Sequence, residues 1–210
     1  MRNTLVILLM VAAMLVAVAH EPALAQKSPK AQGNVAVVET SLGTFEIQLY
    51  ASDASKTVEN FVKLAEKKFF DGQRFHRVSK NFVIQAGDDK SKDVKKKAEW
   101  GTGGKSIWGK EFEDELNPNT PSYQAGYLRG VVAMANRGPN TNTSQFFIML
   151  RDNPNLPKAY TIFGKVTKGM EVVEKIGEVE IEPVMGPNDG RPKVDVVIKK
   201  VRIVQASSSK

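Results

Sequence analysis

Two histidines in 210 residues, His20 and His76, are too few for a metal cluster, and a chain without cysteine has neither a thiol nucleophile nor a disulfide or iron–sulfur framework. A Ser-His relay lacks parts for the same reason, and His76 by itself reads as a packed or half-exposed residue of the fold. Glu99-Trp100-Gly101-Thr102-Gly103-Gly104-Lys105-Ser106 has the look of a phosphate loop. The position five before Gly104 is Glu99 rather than glycine, however, and Ser106 stands where a dinucleotide fingerprint needs its last glycine. Asn142-Thr143-Ser144 is formally a glycosylation sequon, which means little without a eukaryotic host. The lysines of Lys90 to Lys97 could meet a polyanion, yet Asp88, Asp89, Asp93 and Glu99 dilute them and Trp100 alone supplies a ring, so a solvated loop is the better reading. Four blocks remain: Phe75-His76-Arg77-Val78, Phe82-Val83-Ile84-Gln85-Ala86-Gly87-Asp88, Gly101-Thr102-Gly103-Gly104, and the run from Met134 to Phe147. That constellation is unlike an ordinary hydrolase.

The elements that carry these blocks follow a leader. Leu5 to Ala19 is an unbroken apolar run behind Met1-Arg2-Asn3, too short to span a bilayer comfortably, and it ends in Pro22-Ala23-Leu24-Ala25. Small residues at Ala23 and Ala25 after a helix-stopping proline are the pattern of a secretory signal, residues 1–25, cleaved before Gln26. Its loss removes Arg2 and Glu21 and leaves the net charge of +7 unchanged. That excess fits solubility better than a dedicated acidic partner. Residues 26–34 mix Lys, Ser, Pro, Gln and Gly without periodicity and read as a flexible lead-in.

A single domain is expected over residues 35–204, with a flexible tail at 205–210. Val35 to Glu39 and the strictly alternating Gly43 to Tyr50 make an antiparallel hairpin around Thr40-Ser41-Leu42-Gly43. Val58, Phe61, Val62, Ala65 and Phe69 then fall on one helical face, with lysines and glutamates opposite. From Phe75 onward the apolar runs are short and broken by turn residues, which favours a barrel or sandwich over β-α-β units. A second helix is expected at Met170 to Ile176, with Gly177 as its stop. Pro183 to Pro192 reads as a loop, and Val194 to Val204 as a closing strand.

The four blocks, in this order over most of residues 35–204, together with Lys56-Thr57-Val58-Glu59-Asn60-Phe61 and Phe163-Gly164-Lys165-Val166, resemble the cyclophilin-type peptidyl-prolyl cis-trans isomerases. The resemblance implies a mainly β fold, an eight-stranded antiparallel closed β-barrel capped by two α-helices. It implies an enzyme that rotates X-Pro bonds in unfolded chains. The leader points to the exported, bacterial periplasmic kind. Rotation about an amide breaks no covalent bond, so no cofactor or metal is called for; the barrier of roughly 20 kcal/mol is loss of resonance. What helps is an apolar seat for the proline ring and a fixed cation for the twisted amide, whose nitrogen regains its lone pair.

By the resemblance that cation is Arg77. Phe82, Val83, Phe147, Leu156 and Tyr160 line the proline pocket, Gln85 orients Arg77, and Gly101, Ala135, Asn136 and Gln145 contact the peptide. Three positions depart from the common pattern: Asn155 stands where cyclosporin-sensitive members have Trp, Tyr160 where many have His, and Val83 where Met is frequent. Losing the Trp removes an apolar anchor for that inhibitor without touching Arg77. The stretch between Asp88 and Gly101 is also longer than usual. The expected partners are proline-containing, newly exported polypeptides met outside the cytosol by a monomer with no stable membrane anchor and no nucleic acid. The other reading is a non-catalytic proline-peptide-binding chaperone module on the same barrel.

Overall fold

The computed structural model describes residues 34–205. The signal, the lead-in up to residue 33 and the tail beyond Gln205 lie outside the described residues.

Strands β1 (Asn34–Thr40) and β2 (Gly43–Leu49) pair antiparallel with Ala36 opposite Ile47 and Val38 opposite Phe45, so alternation sends these four side chains into one core. Thr40 Oγ1 closes the turn by accepting from Leu42 N at 3.1 Å and donating to Gly43 O at 2.7 Å. Helix α1 (Ser55–Glu66) buries Val58, Phe61, Leu64 and Ala65. Its open N-terminal amides are capped from far along the chain. Glu115 accepts from Lys56 N at 3.1 Å and from Thr57 N at 2.8 Å.

The chain continues through β3 (Arg77–Ser79), β4 (Val83–Ala86), two 3-10 turns (Asp89–Lys92 and Val94–Glu99), a one-turn helix α2 (Pro121–Ala125), β5 (Val131–Met134), β6 (Phe146–Met149) and β7 (Ile162–Lys168). It ends with α3 (Met170–Glu178), β8 (Ile181–Gly186), β9 (Asp189–Pro192) and β10 (Ile198–Gln205). Every strand pair is antiparallel, in the order β10-β1-β2-β7-β5-β6-β4-β3-β9-β8. The sheet curls back on itself just before β3. There Phe75 N donates to Val196 O at 3.0 Å, Gly72 N to Ile198 O at 2.8 Å, and Ile198 N to Gln73 O at 2.7 Å.

The fold is the mainly β one expected, with three refinements. Residues 183–192 are not a loop but most of the β8–β9 hairpin, which brings the strands among the described residues to ten where eight were expected. Pro183 is tolerated because β8 is the outermost strand of the ladder, where a missing N–H costs no pairing. The closing strand starts at Ile198, and Val194 is 81% exposed. Gly177 does not stop α3 but lies within it, and the lack of a side chain there serves packing, since a Cβ would come within 2.7 Å of the Leu150 side chain.

Alternation splits the apolar residues between two clusters. Inward-facing Ile84, Met134, Phe146, Ile148 and Phe163 join α1 and α3 in the main core. Outward-facing Val83, Val131, Ala133, Phe147 and Met149 form a second cluster with Tyr127 and Ile162, against which Phe82, Leu156 and Tyr160 pack.

Candidate active site

The second cluster floors a cavity of about 520 Å³. Cross-strand register supplies one row of it: Arg77 on β3 stands opposite Gln85 on β4, Gln85 opposite Phe147 on β6, and Phe147 opposite Ala133 on β5. A cation, an amide and an aromatic ring thus share the outer face because three strands are in register.

Arg77, Phe82, Val83, Gln85, Gly101, Ala135, Asn136, Phe147, Leu156 and Tyr160 all line this cavity. Gln145 does not. It is 6% exposed and lies behind the wall, its Nε2 donating to Gly101 O at 2.9 Å and Gly103 O at 2.8 Å while its Oε1 accepts from Gln85 Nε2 at 2.9 Å. Gln85 Oε1 in turn accepts from Arg77 Nη1 at 3.1 Å. Two amides therefore tie the guanidinium to the backbone of the glycine loop. The glycine loop itself is closed to phosphate, since Gly101 N and Gly103 N donate to Asp88 and Gly104 N donates to Asp89.

Asn136 is also committed: its Nδ2 donates to Ala159 O at 2.8 Å, pinning the segment that carries Tyr160. The Tyr160 ring meets Phe147 edge-on at 5.4 Å. Tyr127, unmarked by any sequence motif, holds Tyr160 by donating to its carbonyl at 3.0 Å and accepting from its N–H at 2.9 Å. Burial pushes the Tyr127 phenol up to about 12, so it stays a donor. Asn155 is exposed and lies outside the cavity lining.

His76, and Trp100 and Thr102 on either side of Gly101, also line the cavity, and the β8–β9 hairpin completes it with Val184, Met185, Asp189, Gly190 and Arg191. Trp100 is 5% exposed, with Nε1 on Asp93 O at 3.0 Å, so it is a structural ring rather than a stacking platform for bases. Three of the nearby lysines pair with carboxylates: Lys90 with Glu99, Lys97 with Glu182 and Lys105 with Asp89. His76 is buried beside Gly101 with no protein partner for either ring nitrogen. Desolvation lowers its pKa to about 4, against the opposing pull of Asp88, so the ring is neutral at neutral pH. The sequon is closed as well: Asn142 is fully buried, donating to Phe112 O at 3.1 Å and to Asp114 at 2.7 Å. No cluster of metal-ligating side chains occurs among the described residues.

An antiparallel barrel thus carries, on its outer face, an apolar pocket with an arginine at its side. The sequence profile described as cyclophilin type peptidyl-prolyl cis-trans isomerase/CLD matches residues 35–203. The peptidyl-prolyl cis-trans isomerase-like 1 of Neurospora crassa is 44% identical over 168 residues, covering 80% of this chain and 93% of the relative. The peptidyl-prolyl cis-trans isomerase CYP18-2 of Arabidopsis thaliana is 39% identical, with 80% and 92% covered. A crystal structure of a Cryptosporidium parvum cyclophilin type peptidyl-prolyl cis-trans isomerase superposes with a TM-score of 0.71 at 30% identity, covering 83% of this chain and 99% of that one. The chain belongs to the cyclophilin-type peptidyl-prolyl cis-trans isomerase family. Its function is to rotate X-Pro bonds.

Proposed function

We propose that Arg77 stabilises the twisted X-Pro amide while Phe82, Val83, Phe147, Leu156 and Tyr160 hold the proline ring. What carries this reading is the row Arg77-Gln85-Phe147. It sets a guanidinium, oriented through Gln85, at the side of an apolar seat. A guanidinium keeps its charge throughout the physiological range and presents several donors in a rigid plane. Aimed at the prolyl nitrogen as it turns pyramidal, it favours the transition state over either planar isomer.

A cavity of about 520 Å³ exceeds a proline ring and has room for flanking residues, which supports a peptide substrate. A second Cryptosporidium parvum structure, TM-score 0.70 and 30% identical, was determined in the presence of the dipeptide Ala-Pro. Because the Gln145 and Asn136 side-chain amides, both backbone groups of Gly101 and the Ala135 N–H are already engaged, the grip on the peptide falls to the Ala135 carbonyl and the backbone of Asn136, with Gly101 as a wall beside them. Backbone contacts read the chain rather than its side chains, as suits an enzyme for many unfolded clients.

The setting is export: proline-containing polypeptides, newly outside the cytosol, are served by a monomer released from its leader in a periplasm or comparable space. The support for this is the leader itself, residues 1–25 with Ala23 and Ala25 before the cut; the relatives named above are eukaryotic and lend no support to a bacterial envelope.

Arg77→Ala tests the mechanism. Isomerisation of a short X-Pro peptide, followed by NMR exchange or protease coupling, should slow by at least ~100-fold, the scale for removing a preorganised donor, with the fold intact. Near-normal turnover by a folded variant would overturn the assignment.

A further inference from the structure

Arg77 has a partner that no motif of the sequence marks. Asp189, the first residue of β9, accepts from Arg77 Nε at 2.9 Å through one carboxylate oxygen and from Nη2 at 2.7 Å through the other. The pair is partly buried, with the side chains 28% and 18% exposed. Asp189 is itself fixed, standing opposite Ser79 on β3.

A guanidinium has five N–H bonds in one plane. Asp189 takes the Nε–H and one Nη2–H, along the side of the fork, and Gln85 takes one Nη1–H. Two N–H bonds are left, one on each terminal nitrogen. The two acceptors thus leave each terminal nitrogen, in a side chain that lines the cavity, one donor for a substrate. A bidentate carboxylate fixes both the position and the tilt of the plane, which one amide cannot do.

The geometry points to Asp189 as a positioning residue for isomerisation: it clamps the Arg77 guanidinium side-on so that its two remaining N–H bonds face the proline pocket. This inference rests on Arg77 being the catalytic cation. Three features of the hairpin serve the clamp. Pro187-Asn188 turns the chain between β8 and β9 immediately before Asp189. Gly190 lets β9 approach β8, for a Cβ there would lie 2.0 Å from Glu182 O. Glu182 on β8 pairs with Lys97 at 2.9 Å, tying the hairpin to the long lysine-bearing segment on the other side of the cavity. Ion pairing with Arg77 and hydrogen bonding from Ser79 hold the Asp189 carboxyl below the usual carboxylate range despite its partial burial, so the clamp is charged throughout the enzyme's working pH.

The test is the kinetics of Asp189→Ala and Asp189→Asn beside Arg77→Ala and the double variant Arg77→Ala/Asp189→Ala. With Asp189→Ala, kcat should fall about tenfold while KM moves little, because a displaced cation loses transition-state contact and the apolar seat is intact. Asp189→Asn, which keeps one acceptor oxygen and the shape, should lie between that and wild type. The double variant should be no slower than Arg77→Ala. In an NMR spectrum the Arg77 Nε–H resonance should shift and exchange faster in Asp189→Ala yet stay in place in Glu182→Gln, which cuts only the tie to Lys97. An unchanged or raised kcat in Asp189→Ala would overturn the inference; a raised one would mean that the carboxylate competes with substrate for the cation. A rise in KM alone would also overturn it, reducing Asp189 to a wall of the cavity. Should Asp189→Ala fail to fold, the nearly isosteric Asp189→Asn decides by the same kcat and NMR readouts. If Arg77→Ala itself turns over normally, it is the parent mechanism that fails.

Discussion

At the residue scale, the site is built by using up polar groups so that few are left free. Gln145, Gln85, Asn136 and Asp189 each spend their side chain on the protein, and what they leave is the Arg77 guanidinium, oriented, beside the apolar floor of the cavity. His76 is buried with no protein partner, and its physical signature is pH dependence. Its folded pKa of about 4 lies below the ordinary value of 6.5. Below pH 6.5 the unfolded chain therefore binds a proton that the folded one refuses. The stability this buried neutral ring contributes is present above pH 6.5 and is lost as pH falls toward 4, a loss on the order of 3 kcal/mol. Asp53, Asp89 and Asp189, all depressed below ordinary carboxylate values, act only at the acid end of that window. Denaturant midpoints should thus fall between pH 6.5 and 5 in the wild type and stay nearly level in His76→Gln. Isomerisation itself should be flat from about pH 6 to 8, since His76 is already neutral there; a steep fall across that range would mean that a titrating group takes part.

At the element scale, α1 does more than cover the barrel. Asn60 accepts from Ile107 N at 3.0 Å and donates to Thr143 O at 2.7 Å, and Glu115 caps the helix from the same long connection. One helix thereby anchors both the 101–120 segment and the 136–145 segment, each of which reaches the cavity rim. Glu115→Ala removes an acceptor for two backbone amides and for the Thr57 hydroxyl. It should cost about 1–2 kcal/mol, the range for losing a helix cap. Calorimetry should show a melting temperature lower by several degrees, while turnover per folded molecule stays near wild type because Glu115 does not line the active cavity. The β8–β9 hairpin makes the opposite point. Three prolines and two glycines from Pro183 to Pro192 look like a loop, yet at the edge of a sheet they suit a short strand pair that carries Asp189.

At the scale of the whole molecule, the barrel interior is filled by side chains and the chemistry sits on the outside, against the β4–β6–β5 face. That arrangement leaves the site open to long unfolded chains, which need not thread any channel. The chain that meets them should begin at Gln26. Intact-mass analysis of the exported protein is expected to show residues 1–25 removed, because Ala23 and Ala25 supply the small side chains cleavage requires. Recovery of the full 210 residues in a membrane fraction would instead make the apolar run an anchor.

Composition and alternation by themselves determined the β-rich class, the first hairpin, the existence of the first helix and the absence of thiol chemistry, since these depend on local periodicity or on which residue types exist at all; the helix stops at Glu66, so Phe69, expected on its face, lies beyond it. The order of the four blocks was likewise enough to bring Arg77, Phe82, Gln85 and Phe147 together by family resemblance. What only the tertiary structure decided is where each polar group spends its hydrogen bonds. Gln145 could as well face a peptide as lie behind the wall, and nothing in the sequence near Asp189 says that it meets an arginine 112 positions earlier. Such pairings arise from strand register and sheet closure, which are set by the packing of the whole barrel rather than by any segment of it.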